Sequence, residues 1–587
     1  MSVIARLRNT VNPSHPYIDT PDFSYDGWLS HLQRQQQPIG SVAGAPSVAV
    51  IGAGASGMCA AYELARAGCK VTVFDAAPMA GGRCASVPFT NDNPDLAELG
   101  AMRFPPSEFT LNYYLHRFGL VDNDGIAGLP DFPDPGVVKT FVCYGDEVNT
   151  WLASEGHAPP GFETVYNGWL AFNKDGVTQG GKTVFQSPEA ITKALLLGQV
   201  AQASGYWQAY ISQFGQISFY SFLYALFTGQ SGYDIPGGTA WSFDDFDRFG
   251  ALGIGSGGFG PLYPIGFTDI FRLLPNGLES GQKFLKAGIR SLPEAFAAQA
   301  GSTCNFHYST PIQHIERNSS KGFDLYSGNA RYGAFERVVM ATTTRSMEMT
   351  TNLTESKLVA PEVARAVRRT HVVSSVKIAA RIKRFWSSDG DDTVRCLLSD
   401  DALHQVYTLD YGAPDTGVCF ISYTWDDDAV KQQALGVAQS GGAVDKKVLY
   451  TALLKMLSET DERVAQWATQ LVPYGDPESS ILFVEWQSNP HFNGAFKLSQ
   501  PGQDPYVQSM FYDFQKAGDG ARDTGLYLAG DCIAWTSGWV EGALQTGLNA
   551  AAGVLKSLGG TLNGDAKGHT PLNIDAARFD YFGTKNP

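Results

Sequence analysis

No stretch of this 587-residue chain stays apolar for the roughly twenty positions that a bilayer-spanning helix needs. The start, MSVIARLRNTVNPSHPY, likewise lacks an apolar core of signal-peptide length. A soluble, cytoplasmic protein with no membrane partner is therefore expected. Basic residues are scarce beside acidic ones, 43 Lys+Arg against 58 Asp+Glu, and none of them forms a long cluster. That argues against a nucleic-acid partner, because phosphate backbones are held by basic surfaces; an anionic ligand would need a local cationic site. The eight cysteines (Cys59, Cys69, Cys84, Cys143, Cys304, Cys396, Cys419 and Cys532) are scattered without a CxxC pair. Neither a disulfide scaffold nor a metal site is suggested, and reduced, mostly buried thiols are expected. Internal repeats are missing too.

What is present is apolar mass: 44% hydrophobic and 12% aromatic residues against 17% charged. This is the balance of a compact globular protein with apolar pockets. The length allows about four domain-sized units, or fewer, larger, interleaved ones. Residues 1–46 are polar and Gln-rich (QRQQQP) and read as an arm lying over the surface. SVAVIGAGASGMCAAYELARAGCKVTVFDA, residues 47–76, reads as strand, glycine turn, helix and strand, one βαβ unit. Apolar periodicity such as AITKALLLGQVAQASGYWQAYISQF predicts a largely helical insertion over 110–225. From 370 to 500, strand-like runs (VVSSVKIAARI, GVCFISYTW, ILFVEW) alternate with a helix near VLYTALLKMLSET. The end, GLYLAGDCIAWTSGWVEGALQTGLNAAAGVLKSL, is again strand, loop, helix, so the two chain ends are expected to share one domain with the middle inserted.

Gly52, Gly54 and Gly57 form G-x-G-x-x-G between a strand and a helix. The first permits a tight turn, the second lets a pyrophosphate approach the backbone, and the third lets helix and strand pack closely; the helix N-terminus adds N–H donors. An acid is expected about twenty residues on, and Asp75 stands there, able to accept from a ribose hydroxyl. GIGSGGFG repeats the spacing at Gly253, Gly255 and Gly258, but no strand precedes it, so it reads as a loop needing unusual dihedrals or close contact rather than a second phosphate cradle. Gly81 and Gly82 let backbone pass close to a ligand that Arg83 can meet through a phosphate, and Asp531, after Gly530, emerges from a strand end where it can bind a ribityl or ribose hydroxyl. Together these favour FAD over NAD.

With GxGxxG, GGR and AGD in place, the chain resembles the flavin amine oxidase superfamily. Within it, the likeness is to the bacterial tryptophan 2-monooxygenase, L-phenylalanine oxidase and L-lysine oxidase/monooxygenase group, through AELGAMRFPPS, FPDPGVV, FGALGIGSGGF, SYTWDDDA, GAFKL and GWVEGALQT. The resemblance runs from about residue 47 to 557. It implies that Arg103 holds a substrate α-carboxylate, consistent with a guanidinium's two parallel donors; on its residues alone, Arg103 could equally pair with Glu98 or main-chain carbonyls. It implies that Lys377 holds a water against flavin N5, although in strand phase Lys377 shares a face with Ser375 and Arg381 that reads as solvated. It makes Trp539 a wall of the substrate site, with Trp425, Trp486 and Phe492 as candidates for the others or for plain core. The implied flavin contacts are Gly52, Gly54, Ala55, Ser56, Gly57, Asp75, Gly81, Gly82, Arg83, Ala101, Met102, Arg103, Gly530, Asp531, Trp539 and Val540.

The expected fold class is α/β: a Rossmann-like FAD-binding domain (47–109, 276–360 and 505–560) interleaved with a substrate domain (226–275 and 361–504) on a mixed β-sheet, with the helical insertion at 110–225 and a tail at 561–587. The expected reaction is oxidation of an L-amino acid by hydride transfer from Cα to flavin N5 with molecular oxygen as oxidant. The products are an amide and CO2, or alternatively a 2-oxo acid, ammonia and peroxide. An amine oxidase would have no use for a carboxylate clamp, and a non-catalytic FAD-binding protein is the remaining rival. The resemblance bears on the substrate side chain as well: lysine-acting members carry an acid just before the proline that follows the GSGGF-like loop, whereas GGFGPLYPIGF has Leu262 and Tyr263 before Pro264 and no carboxylate follows until Asp269, which implies that a lysine substrate is disfavoured and an aromatic or large apolar one is expected. A homodimer is an expected assembly.

Overall fold

The computed structural model describes residues 16–587 except 92, 256, 321, 352, 356–357, 388–391, 438–441, 514–524, 576–577, 582 and 584–587. Its first sheet is parallel and five-stranded, in the order Cys304–His307, Lys70–Phe74, Ser47–Ile51, Arg337–Met340, Leu526–Leu528. Both ends of the chain and a middle segment thus meet in one sheet. The run SVAVI suits a strand buried on both faces. Val48 and Val50 pack on one side, with helices Ala55–Arg66 and Val540–Ser557. Ala49 and Ile51 pack on the other, against Met347, Val363 and Val367. Small residues let those two helices touch backbone to backbone: a Cβ on Gly547 would lie 2.4 Å from the Ser56 carbonyl oxygen.

The second sheet has seven strands, in the order Ile481–Glu485, Ser375–Lys383, Thr416–Trp425, Gln405–Leu409, Cys396–Ser399, Thr140–Tyr144, Glu147–Trp151. It is mixed, because only the pair Cys396–Ser399 and Thr140–Tyr144 runs parallel. Two of its strands correct the expectation of a largely helical 110–225 segment. TFVCYGDEVNTW folds as a hairpin that completes the sheet, its alternating β-branched residues about a Gly-Asp turn outweighing the helical period read further along. The remainder of the segment is chiefly helical, with Phe109–Arg117, Glu163–Asp175, Pro188–Leu196, Val200–Phe214 and the start of Phe219–Phe227, plus a small hairpin of Val177–Gln179 and Lys182–Phe185; its aromatic core has Phe222 and Phe267 4.3 Å apart and Tyr210 and Phe271 4.4 Å.

The arm is more than a surface strap. Its described part contains helix Tyr25–Arg34, capped by Ser24, which buries Tyr25, Trp28, Leu29 and Leu32. Tyr25 Oη donates to Asn549 Oδ1 and Trp28 Nε1 to the Asn563 carbonyl, both at 2.8 Å. Arm and tail are also joined through a buried charge knot. Arg272, 1% exposed, pairs with Asp19 of the arm at 2.8 Å and Asp504 at 3.0 Å, while Tyr581 of the tail donates to Asp19 at 2.8 Å. Arg272→Leu would leave these carboxylates buried without their countercharge, and a loss of about 3–5 kcal/mol in urea-unfolding stability is the expected result.

Candidate active site

The first strand ends at Gly52, whose φ of +108° turns the chain beneath the next helix; a Cβ there would lie 2.6 Å from the Ala341 carbonyl oxygen. A Cβ on Gly54 would meet only ordinary van der Waals contacts, the nearest at 3.9 Å, and Gly54 stands on a cleft wall, where a ligand can approach its backbone. A Cβ on Gly57 would lie 1.9 Å from the Gly52 oxygen, the close helix–strand approach expected of the third glycine. Asp75 accepts from the backbone N–H of Ala53 at 2.5 Å and of Ala77 at 2.7 Å, which braces the turn and leaves the carboxylate on a cleft wall. Burial raises its pKa.

That cleft has about 1360 Å³ of empty space, part of it open to solvent. Gly52, Gly54, Ala55, Ser56, Asp75, Gly81, Gly82, Arg83, Ala101, Asp531, Trp539 and Val540 line it. Gly57 lies in the first turn of helix Ala55–Arg66, against the end of the strand rather than on the cleft, and Gly530, at φ +128°, makes the turn that delivers Asp531. Arg83 forms an ion pair with Asp531 and donates to the Ala495 carbonyl at 2.7 Å, joining the two halves of the chain. A long cleft with bare glycine backbone at a helix N-terminus, an acid closing the second strand and a guanidinium beside the turn fits a dinucleotide.

Beside it lies a second chamber with about 740 Å³ of empty space, part of it open to solvent. Lys377, Ala101, Tyr423, Phe496, Trp539 and Val540 line both spaces and mark where they meet. Arg103 and Met102 line the chamber only. The Arg103 guanidinium is not paired with Glu98: Nη1 donates to Asp134 Oδ1 at 2.7 Å and to Tyr407 Oη at 3.4 Å, and the Phe132 and Tyr407 rings lie 5.4 and 5.8 Å from it. Glu98 binds Ser86 Oγ and the Ile289 N–H instead. The neighbouring anionic and phenolic groups hold Arg103 firmly charged against its burial.

Lys377 is not on a solvated face. It is 2% exposed, because its side of the second sheet is covered by Phe89, Met102 and Phe132, while Val376, Ile378 and Ala380 bury the other side against a helix layer. Strand periodicity says which residues share a face, not what covers it. Nζ donates to the carbonyls of Glu98, at 3.2 Å, and Gly100, at 2.5 Å, and lies 4.3 Å from the Tyr423 ring centre. Burial, with Arg103 nearby, lowers its pKa to about 7. A lysine depressed from 10.5 holds fewer protons folded than unfolded between these values. Its folding penalty is therefore full below about pH 7 and fades as pH rises. Urea-unfolding stability of the parent should rise from pH 7 to 10 by up to about 1.4 kcal/mol per pH unit more than that of Lys377→Met; equal slopes would mean the amine stays charged.

Trp539 occupies the cap position of helix Val540–Ser557, whose N-terminus thus points at the junction. Trp425 lines the chamber, with Phe259 at 6.1 Å and Tyr423 at 5.0 Å between ring centres. Trp486 and Phe492 line the long cleft rather than the chamber, with Trp486 Nε1 donating to the Leu99 carbonyl at 3.1 Å. The glycine loop after helix Phe243–Leu252 shows the dihedrals and close contacts expected of it: Gly253, Gly255 and Gly257 have positive φ, and a Cβ on Gly257 would strike Gln405 Nε2 at 1.8 Å. Through Phe259 the loop reaches the chamber wall.

No role was expected for Tyr423, Phe259, Tyr407 or Asp134, although the blocks SYTWDDDA, FGALGIGSGGF and FPDPGVV contain Tyr423, Phe259 and Asp134. Sequence reading also looked for chamber carboxylates in one segment. Asp269 lies elsewhere, against Lys497 at 3.3 Å, while Glu279 and Glu108 line the chamber. Glu108 accepts from the Glu541 N–H at 2.8 Å, and Glu279 is among the charges acting on Arg103.

The family model for flavin containing amine oxidoreductases matches residues 55–555. The chain is 39% identical over 549 residues to tryptophan 2-monooxygenase of Pantoea agglomerans pv. gypsophilae, covering 91% of this chain and 92% of that one. The same identity extends over 552 residues to tryptophan 2-monooxygenase of Pseudomonas savastanoi, with 91% and 93% covered. Cyclohexylamine oxidase from Brevibacterium oxydans IH-35A shares the fold, with a TM-score of 0.57, 17% identity, and 87% of this chain and 98% of that one covered.

Proposed function

The chain belongs to the flavin containing amine oxidoreductases, and from that premise we propose that it is an FAD-dependent L-amino acid 2-monooxygenase. It would convert an aromatic or large apolar L-amino acid and O2 to the one-carbon-shorter amide, CO2 and water. Bound in the long cleft, FAD supplies the acceptor for the hydride from Cα and the reaction with dioxygen. Gly52, Gly54 and the N-terminus of helix Ala55–Arg66 would hold its pyrophosphate, and Asp75 a ribose hydroxyl. Met102 lies on the chamber side of the same segment. In this reading the sheet built from both chain ends belongs to the FAD-binding domain, and the seven-stranded sheet to the substrate domain.

The observation that carries the reading is Arg103, a buried, ring-flanked guanidinium on the chamber wall beside the cleft. An oxidase of simple amines has no carboxylate to place on it. The long likeness to tryptophan 2-monooxygenases favours amide over 2-oxo acid. Arg103 would hold the α-carboxylate in a two-point contact and so set which face of Cα is presented. Neutral Lys377 commits its two hydrogens to the carbonyls of Glu98 and Gly100, which leaves the Nζ lone pair to accept a hydrogen from a water. Trp539, Trp425, Phe259 and Tyr423 would wall an aromatic side chain. Lysine would be a poor substrate, because burial and nearby Glu541 raise the pKa of Glu108 and so disfavour its charged form, and Glu279 acts on Arg103. A cytoplasmic homodimer belongs to the same proposal, and sedimentation tests the assembly.

The test is turnover of the twenty L-amino acids followed by mass spectrometry. Tryptophan or phenylalanine yielding amide without equivalent peroxide is expected. Equivalent peroxide with 2-oxo acid would make the protein an oxidase, and lysine as best substrate would remove the account of the chamber.

A further inference from the structure

We propose that Asp134 is a positioning residue for the substrate carboxylate: by anchoring Nη1 of Arg103 from behind, it aims the guanidinium into the chamber before substrate arrives. The proposal rests on the reading of Arg103 as the carboxylate clamp. Arg103 lines the chamber and Asp134 does not, so the aspartate acts only through the arginine. Its Oδ1 lies 2.7 Å from Nη1, and both side chains are buried, at 6% and 9% exposure.

The loop that carries Asp134 is itself held. The Asp134 carbonyl accepts from Val137 N–H at 3.0 Å, Gly136 N–H donates to Thr140 Oγ1 at 3.0 Å, and Thr140 Oγ1 donates to the Val138 carbonyl at 2.8 Å. At Gly136, with φ +75°, a Cβ would strike the Trp151 ring at 2.6 Å, so the turn is seated directly on the hairpin of the second sheet. The Phe132 and Tyr407 rings, 5.2 Å apart, restrict the plane of the guanidinium, and Tyr407 is tied in turn to Gln405. An arginine free to rotate would lose that freedom on gripping a carboxylate; one already anchored by a sheet-mounted aspartate has little left to lose. The aspartate is also the countercharge that lets a guanidinium persist in a nearly dry wall.

The experiment measures binding of phenylacetate and of phenylacetamide to the holoenzyme by calorimetry, together with steady-state kinetics on the best amino acid. The two ligands differ only in the group that Arg103 would recognise. For Asp134→Ala, the expected result is a Kd for phenylacetate weakened about ten-fold or more, with phenylacetamide changed less than about two-fold. KM should rise in step while kcat stays within a few-fold. Asp134→Asn keeps an oxygen acceptor for Nη1 and should restore phenylacetate binding toward the parent. Equal weakening of both ligands, no weakening of either, or Asn as weak as Ala would overturn the proposal. If neither variant yields folded flavoprotein, Asp134→Glu serves. It keeps the ion pair and displaces the guanidinium by about one bond length, so phenylacetate alone should weaken; unchanged binding of both ligands would overturn the assignment. A parent that binds phenylacetate no better than phenylacetamide would instead remove Arg103 as the clamp, a failure of the functional reading and not of Asp134.

Discussion

Arg103→Lys should cut kcat/KM for the preferred amino acid by roughly one to two orders of magnitude, mostly through KM, while FAD remains bound. A guanidinium offers a planar fork that can grip a carboxylate through two N–H groups and still reach Asp134 and Tyr407. A lysine ammonium is a point charge on a flexible stem, and beside Asp134 it would pair with that aspartate. One charge-assisted hydrogen bond lost is worth about 1.5–3 kcal/mol, which sets the expected range. FAD should stay because Arg103 lines the chamber and not the long cleft. Steady-state kinetics with flavin absorbance on the same sample decides the matter. Unchanged kcat/KM would take Arg103 out of the substrate site, and lost flavin would make it part of the cofactor site.

Lys377→Met should lower turnover by about two orders of magnitude with flavin content unchanged, the lower end of what a positioned proton-handling group contributes. Methionine fills similar space but cannot place a nitrogen over the Tyr423 ring, donate to the carbonyls of Glu98 and Gly100 or present an amine lone pair at the junction. Stopped-flow measurement of flavin reduction by substrate and reoxidation by oxygen shows which step slows. In the parent, the rate of the affected step should rise with pH through about 7, where Lys377 loses its proton, and the variant should lack that limb. Full rates in both half-reactions would assign the buried lysine to structure alone.

The cofactor end of the protein was legible in the sequence because its requirements are local. A glycine that must turn, a glycine that must stay bare and a glycine that must let a helix approach sit within six residues, Gly52 to Gly57, and Asp75 follows one strand later. Short-range geometry dictates those residue types wherever the chain goes next. The TFVCYGDEVNTW hairpin was missed because a helical period further along was extended over it. Lys377 shows a different limit: alternation put it opposite Val376 and Ile378, as observed, but the cover on its own face comes from Phe89, Met102 and Phe132, far away in the chain.

By itself, then, the sequence determined the strand–turn–helix unit, the acid that closes it, the loop nature of GIGSGGFG and, through resemblance, the choice of Arg103 and Lys377. Only the tertiary structure decided that Arg103 is anchored by Asp134 rather than Glu98, that Lys377 is buried with a lowered pKa, that Trp486 and Phe492 belong to the cleft and not the chamber, and that arm and tail are locked by Arg272. The reason is physical. Backbone turns and helix starts are set by residues a few positions apart, whereas burial, charge pairing and pocket walls arise between segments 31 residues apart at Arg103–Asp134 and 253 apart at Arg272–Asp19, and their energies depend on what each segment excludes from water.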